Sequence, residues 1–178
     1  NAGIGLILVV FLLFLFIGWR NALFAALGIP VAFMATFFFM HLTGYTLSGV
    51  ALFGLILVVG IVVDDAIVVI ENVHRHIQLG KSPVRAAIEG AEEVGWPVLA
   101  ASLTTIAAFG PLLFMSGVPG QFMRIVPVVA ILVLIASLIE VFFILPAHIA
   151  EWGKAGREKR DLFATPRRWY TTALKVVL

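Results

Sequence analysis

Two adjacent carboxyls, Asp64 and Asp65, interrupt a run over residues 47–70 that is otherwise almost all Leu, Ile, Val, Gly and Ala. A carboxylate inside a bilayer is costly unless it is paired, hydrated or protonated, which makes such a residue a functional candidate by default. Neighbouring positions on an α-helix point about 100° apart. Both side chains can therefore border one interior cavity, but they cannot face the same partner directly. A low-dielectric site and a like-charged neighbour each disfavour ionisation, so the pair is expected to exchange protons as a coupled unit. The competing reading is a buried, hydrogen-bonded pair that holds helices together without moving a proton. Buried ion pairs are a weak way to stabilise a bundle. Intramembrane proteolysis needs two carboxyls from different helices sharing a water, and adjacency on one helix argues against it.

Glu140 is a second carboxyl inside an apolar run. It is read either as the inner end of a proton path or as a side chain that snorkels to the headgroups or bonds a neighbouring helix. Thr104 and Thr105, with Ser102, supply hydroxyls to another apolar run. They are read either as support for the Asp pair or a water chain or, the favoured reading, as hydroxyls that bond back to their own helix carbonyls, as Ser and Thr in membrane helices more often do. Gly49, Gly54 and Gly60 share a helix with the aspartates and are read as sites of close helix approach. Glu71, Asn72, His74, Arg75 and His76 end that helix, where solvated capping is expected. The four His residues are too dispersed for a metal site.

These residues need membrane elements to position them. The 178-residue chain is 62% hydrophobic and 12% charged, against roughly 45–50% and 25% in a soluble domain. Its apolar residues are grouped in runs that match the ~20 residues needed to cross a bilayer. Five transmembrane helices are expected, over residues 4–18, 22–41, 47–73, 97–115 and 122–147, forming a bundle within residues 1–150. Residues 151–178 read as a basic cytoplasmic linker followed by an amphipathic helix or the start of another span. The fold class is all-α integral membrane, with short cytoplasmic surface helices. One of these is expected over residues 83–94, because Ser82-Pro83 pairs a capping hydroxyl with Pro at the first helical position. Pro97 is then expected to open the next span.

Charge assigns the sides. Eleven of the twelve Lys and Arg residues fall in segments on one side, Arg124 being the exception. The positive-inside rule makes that side cytoplasmic, with the amino end outside and the carboxyl end inside. Attraction to anionic headgroups accounts for the basic linker without nucleic acid. The chain has no Cys, so disulfides and thiolate metal sites are ruled out. The first run starts at Asn1 without a basic leader, and Val176-Val177-Leu178 resembles the opening of a further span. The expectation is an internal piece of a longer protein.

The stretch Gly54-Leu55-Ile56-Leu57-Val58-Val59-Gly60-Ile61-Val62-Val63-Asp64-Asp65-Ala66-Ile67-Val68-Val69-Ile70-Glu71-Asn72-Val73 resembles the fourth transmembrane helix of resistance-nodulation-division efflux transporters, in the multidrug-exporting branch. Gly18-Trp19-Arg20, Gly44-Tyr45-Thr46-Leu47 and Leu145-Pro146-Ala147-His148 extend the similarity to helices two through six of a twelve-span subunit.

The resemblance implies a secondary transporter rather than an enzyme, in which protons drive export of drugs or other amphiphiles and no other cofactor is needed. Asp64 and Asp65 would form the relay, opposite a Lys on a helix of the second half. The Lys residues of this chain, Lys81, Lys154, Lys159 and Lys175, all lie in cytoplasmic segments. The relay is therefore expected to need the remaining helices and the periplasmic domains of the same pump. It further implies a homotrimer in a bacterial inner membrane, working with a periplasmic adaptor and an outer-membrane channel. Two alternatives within the superfamily are a sterol-sensing-like lipid-binding module and a protein-export auxiliary subunit.

Overall fold

The computed structural model describes residues 19–152, together with positions 11 and 14. The first expected span and the segment 153–178 lie outside the described residues, apart from those positions. Helix α1, Trp19–Leu42, is followed by α2, Gly49–Gln78, and α3, Pro83–Phe109. A 3-10 turn, Gly110–Phe114, leads to short α4, Gly117–Met123, and then to α5, Ile125–Ile139. A π-helical turn, Glu140–Ile144, joins α5 to α6, Leu145–Trp152. Among the described residues there is no strand, and four helical stretches are long and apolar enough to cross a membrane: Ala22–Leu42, Gly49–Gln78, Pro83–Phe114 and Gly120–Glu151.

Local chemistry explains the boundaries. Ser48 caps α2 by accepting from the Ala51 amide at 3.2 Å, and Ser82 does the same for α3 from Arg85 at 3.4 Å. Between α1 and α2 the backbone turns through Gly44, at φ +76°, and between α2 and α3 through Gly80, at φ +86°. Both angles are left-handed and suit glycine. The 30 residues of α2 span about 45 Å at 1.5 Å per residue. That exceeds the ~30 Å of a hydrocarbon core. The polar turns from Glu71 onward therefore extend past the apolar length.

One boundary differs from the sequence reading. Residues 83–94 are not a separate surface helix, because α3 runs unbroken from Pro83 through Pro97 to Phe109. Pro97 removes one backbone bond, the one its amide would give to the Glu93 carbonyl. The helix continues because Ala86, Ala87, Gly90, Ala91 and Val98 are buried on both sides of that gap.

Helix α2 is the centre of the bundle, packed against α1, α3 and α5. Two buried clusters surround it. One gathers Ala25, Ile29, Val63, Val69, Val73, Ala87, Val141 and Leu145, and the other Ala32, Leu55, Val58, Val62, Val129 and Val133. Small residues set the closest approaches. A Cβ on Gly54 would lie 3.2 Å from the Val126 carbonyl oxygen, and one on Gly90 2.8 Å from the Val73 Cα. Gly49 and Gly60, expected at such contacts, have nothing within 4 Å of that position.

Candidate functional site

The middle of α2 divides the Asp pair between two environments. Asp65 is buried at 8% exposure in the seam with α3, whereas Asp64 is exposed. This is the outcome of the ~100° step between adjacent helix positions. On the α3 side, Ser102, itself 1% exposed, donates from Oγ to Asp65 Oδ2 at 2.7 Å. That bond uses one lone pair of the carboxyl, and it is the one side-chain hydrogen bond to Asp65 among the described residues. Asp64 emerges on a face shared with exposed Leu57, Gly60 and Val68. One carboxyl is thus tied to the bundle interior while its neighbour is presented outward.

The other predicted residues do not gather with the pair. The Thr104 hydroxyl donates to the Ala100 carbonyl at 2.7 Å and Thr105 to the Ala101 carbonyl at 3.1 Å. Both bonds stay within α3, so of the three hydroxyls it is Ser102 that reaches an aspartate. Glu140 is buried, at 3% exposure, makes no ion pair among the described residues, and lies against Gly28 of α1, whose added Cβ would sit 2.8 Å from Glu140 Oε2. Sequence reading missed Gly28, which carries no distinctive local signal.

Beyond the apolar length, the polar end of α2 is clamped to the start of α3. Asn72 Nδ2 donates to the Gly90 carbonyl at 2.8 Å and to Glu93 Oε2 at 3.1 Å. Arg75 Nη2 donates to both Glu93 oxygens at 2.7 Å, and His76 Nε2 meets Glu93 Oε2 at 2.7 Å. Lys81 Nζ contacts His76 Nδ1 at 2.7 Å and also bonds Glu89. An ammonium has no acceptor, so Nδ1 accepts and Nε2–H donates to Glu93. Hydrogen bonds from His76, Asn72 and Arg75 hold the Glu93 carboxyl down at about 2. The hydrogen bond from Lys81 lowers Glu89 in the same direction. Asn72, at the end of the motif, is therefore built into a helix-to-helix clamp with Arg75 and His76. Its sequence signal was the small-residue stripe of Ala86, Ala87, Gly90 and Ala91 facing it.

Across residues 1–178 the chain matches the model of the AcrB/AcrD/AcrF family. It is 45% identical over 122 residues to multidrug resistance protein MdtC of Pectobacterium atrosepticum, covering 68% of this chain and 12% of that protein. It is 44% identical over 122 residues to MdtC of Klebsiella pneumoniae subsp. pneumoniae, with the same shares of 68% and 12%. Against MdtC of Escherichia coli O139:H28 the identity is 40% over 159 residues, or 89% of this chain and 16% of that one. The chain thus spans between 12% and 16% of the length of these curated relatives. Its apolar helices and its end-to-end family match agree with the resemblance carried by residues 54–73, and this multi-pass membrane chain belongs to the AcrB/AcrD/AcrF family of resistance-nodulation-division transporters.

Proposed function

We propose that this chain is part of the proton-translocating transmembrane domain of a proton/substrate antiporter that exports drugs or other amphiphiles across a bacterial inner membrane. The observation that carries the reading is the split of the Asp pair, with Asp65 buried on Ser102 and Asp64 exposed about 100° further round the same helix. Buried and exposed carboxyls on adjacent positions can pass a proton between a closed interior and a face that meets another element. The name of the relatives, multidrug resistance protein, supports the substrate class.

In this mechanism Asp64 meets a cationic group on the remaining helices of the same pump. Protonation of the pair cancels that attraction, and ionisation restores it. The bundle is biased because one charge crossing 100 mV is worth about 2.3 kcal/mol. Helix α2 touches α1, α3 and α5, so a shift of its mid-point is felt by each of them and is passed on to periplasmic domains that bind substrate. The amino end is periplasmic and the carboxyl end cytoplasmic. The assembly is a trimer with a periplasmic adaptor and an outer-membrane channel.

The test is substrate-coupled proton flux in the full-length transporter reconstituted in vesicles, for wild type, Asp64→Asn and Asp65→Asn at matched folding. Loss of coupled flux in either variant is expected. Unchanged flux in both would sink the relay and leave a lipid-binding bundle as the reading.

A further inference from the structure

Glu140 is not used by the relay above, yet it is among the most buried polar side chains of the bundle, at 3% exposure. It opens the π-helical turn Glu140–Ile144, in which the Leu145 amide bonds to the Glu140 carbonyl. Single π turns within α-helices recur at functional positions, because they rotate a side chain out of the α register. Here the rotated carboxyl lies against Gly28 of α1, within 2.8–2.9 Å of where a Cβ would stand. Any residue larger than glycine at 28 would occupy the space of the carboxyl. One turn earlier, Ser137 is fully buried and its Oγ has no hydrogen-bond partner among the described residues. Residues three apart on a helix are side-chain neighbours.

Charged and titratable groups lie on the elements packed around Glu140, and none of the ion pairs among the described residues includes it. The turn packs on α1, α2, α5 and α6, and its Phe142 reaches Gly95 of α3, whose charged residues Arg85, Glu89, Glu92 and Glu93 lie in the part of the helix before Gly95. Helix α1 carries Arg20 and His41 at its two ends and no ionisable residue between 22 and 40, and α5 has none. Helix α2 carries Asp64, Asp65 and, beyond the apolar length, Glu71, His74, Arg75 and His76, while α6 carries His148 and Glu151. No ion pair or hydrogen bond joins Asp64, Asp65, Glu71, His74, Arg75, His76 or Glu151 to Glu140 among the described residues, and His148 makes an interaction of its own. The neighbouring Val141 and Leu145 share a buried cluster with Ala25, Ile29 and Ala66. A neutral acid is tolerated in such surroundings, whereas an unpaired carboxylate is not.

We propose that Glu140, seated on Gly28 with Ser137 one turn away, is a second proton-binding site of the bundle, separate from Asp64–Asp65. The two sites lie in different seams, since Asp65 faces α3 through Ser102 and Glu140 faces α1 through Gly28. The neutral acid closes the α1 seam. Ionisation releases one proton to water and leaves a carboxylate that needs hydration, which draws it off Gly28 and loosens that seam. The ligand is a proton, and the site does not depend on the Asp relay being correct.

The experiment is infrared difference spectroscopy of the full-length transporter in lipid vesicles, stepping the pH upward. Wild type, Asp64→Asn/Asp65→Asn and that double variant with Glu140→Gln would be compared. Expected is an acid C=O band that converts to carboxylate as pH rises, shifts in deuterium oxide, persists in the Asp double variant and vanishes when Glu140→Gln is added. Glu140→Asp keeps the carboxyl on a shorter stem, so it should move the band rather than abolish it, which guards against misfolding of the Gln variant. The proposal is overturned if adding Glu140→Gln changes no band, if the band neither titrates nor exchanges, or if Glu140 gives a sodium-dependent carboxylate signal instead.

Discussion

Ser102 of α3 donates a 2.7 Å hydrogen bond to Asp65 of α2, and both side chains are buried. The bond crosses the principal helix seam of the bundle, so the residue that orients the inner carboxyl sits on a different element from the motif. Ser102→Ala leaves a buried acceptor short of its donor, a loss typically worth about 1–3 kcal/mol. The expected outcome is reduced coupled flux with a lowered thermal midpoint, partly restored by Ser102→Thr. Wild-type flux in Ser102→Ala would show that the bond orients nothing.

Gly90 lies on the Val73 backbone, and its Cβ would stand 2.8 Å from Cα and 2.9 Å from N. In an open helix, Gly→Ala gains up to about 1 kcal/mol. Here overpacking of about 1–3 kcal/mol should win. Gly90→Ala is therefore expected to destabilise, and Val73→Ala should not rescue it because the nearest atoms are main chain. A rise in the unfolding midpoint of Gly90→Ala would contradict this.

Gly28→Ala should also destabilise, by about 1–3 kcal/mol, but for a different reason. Its obstacle is the Glu140 side chain, which can be shortened. Glu140→Ala in the Gly28→Ala background is expected to recover stability relative to additivity, read as a double-mutant cycle of thermal midpoints.

The clamp around Glu93 carries a definite pH sign. Its carboxyl is held at about 2 against an ordinary 4.5, so the folded state binds protons less readily than the unfolded one. The associated stability is present above about 4.5 and is lost as pH falls toward 2. Glu93→Gln should flatten the unfolding midpoint over that window. Because the group is solvent-exposed, salt should weaken the wild-type effect.

Sidedness can be read directly, since the chain has no Cys. Single cysteines at Thr46 and Ser116 should react with an impermeant maleimide in cells whose outer membrane has been opened. A cysteine at Lys81 should react only after the inner membrane is breached. The reverse pattern would invert the topology drawn from the Lys and Arg distribution.

Apolar run length and the lone carboxyls within it were enough to read an all-α membrane bundle and to single out Asp64 and Asp65. Both signals are one-dimensional: a bilayer demands about 20 apolar residues per helix, and an acid inside such a run stands out by type alone. The helix start at Ser82 was legible for the same reason, being set by residues a few positions away. Local rules misjudged Pro97, because burial of Ala87, Gly90 and Val98 carries α3 through it. Which aspartate turns inward, which of Ser102, Thr104 and Thr105 meets it, and where Glu140 rests depended on which faces of α1, α2, α3 and α5 pack together. Those contacts join residues as far apart as 28 and 140. Helical spacing says which residues share a face, but only packing says what that face meets.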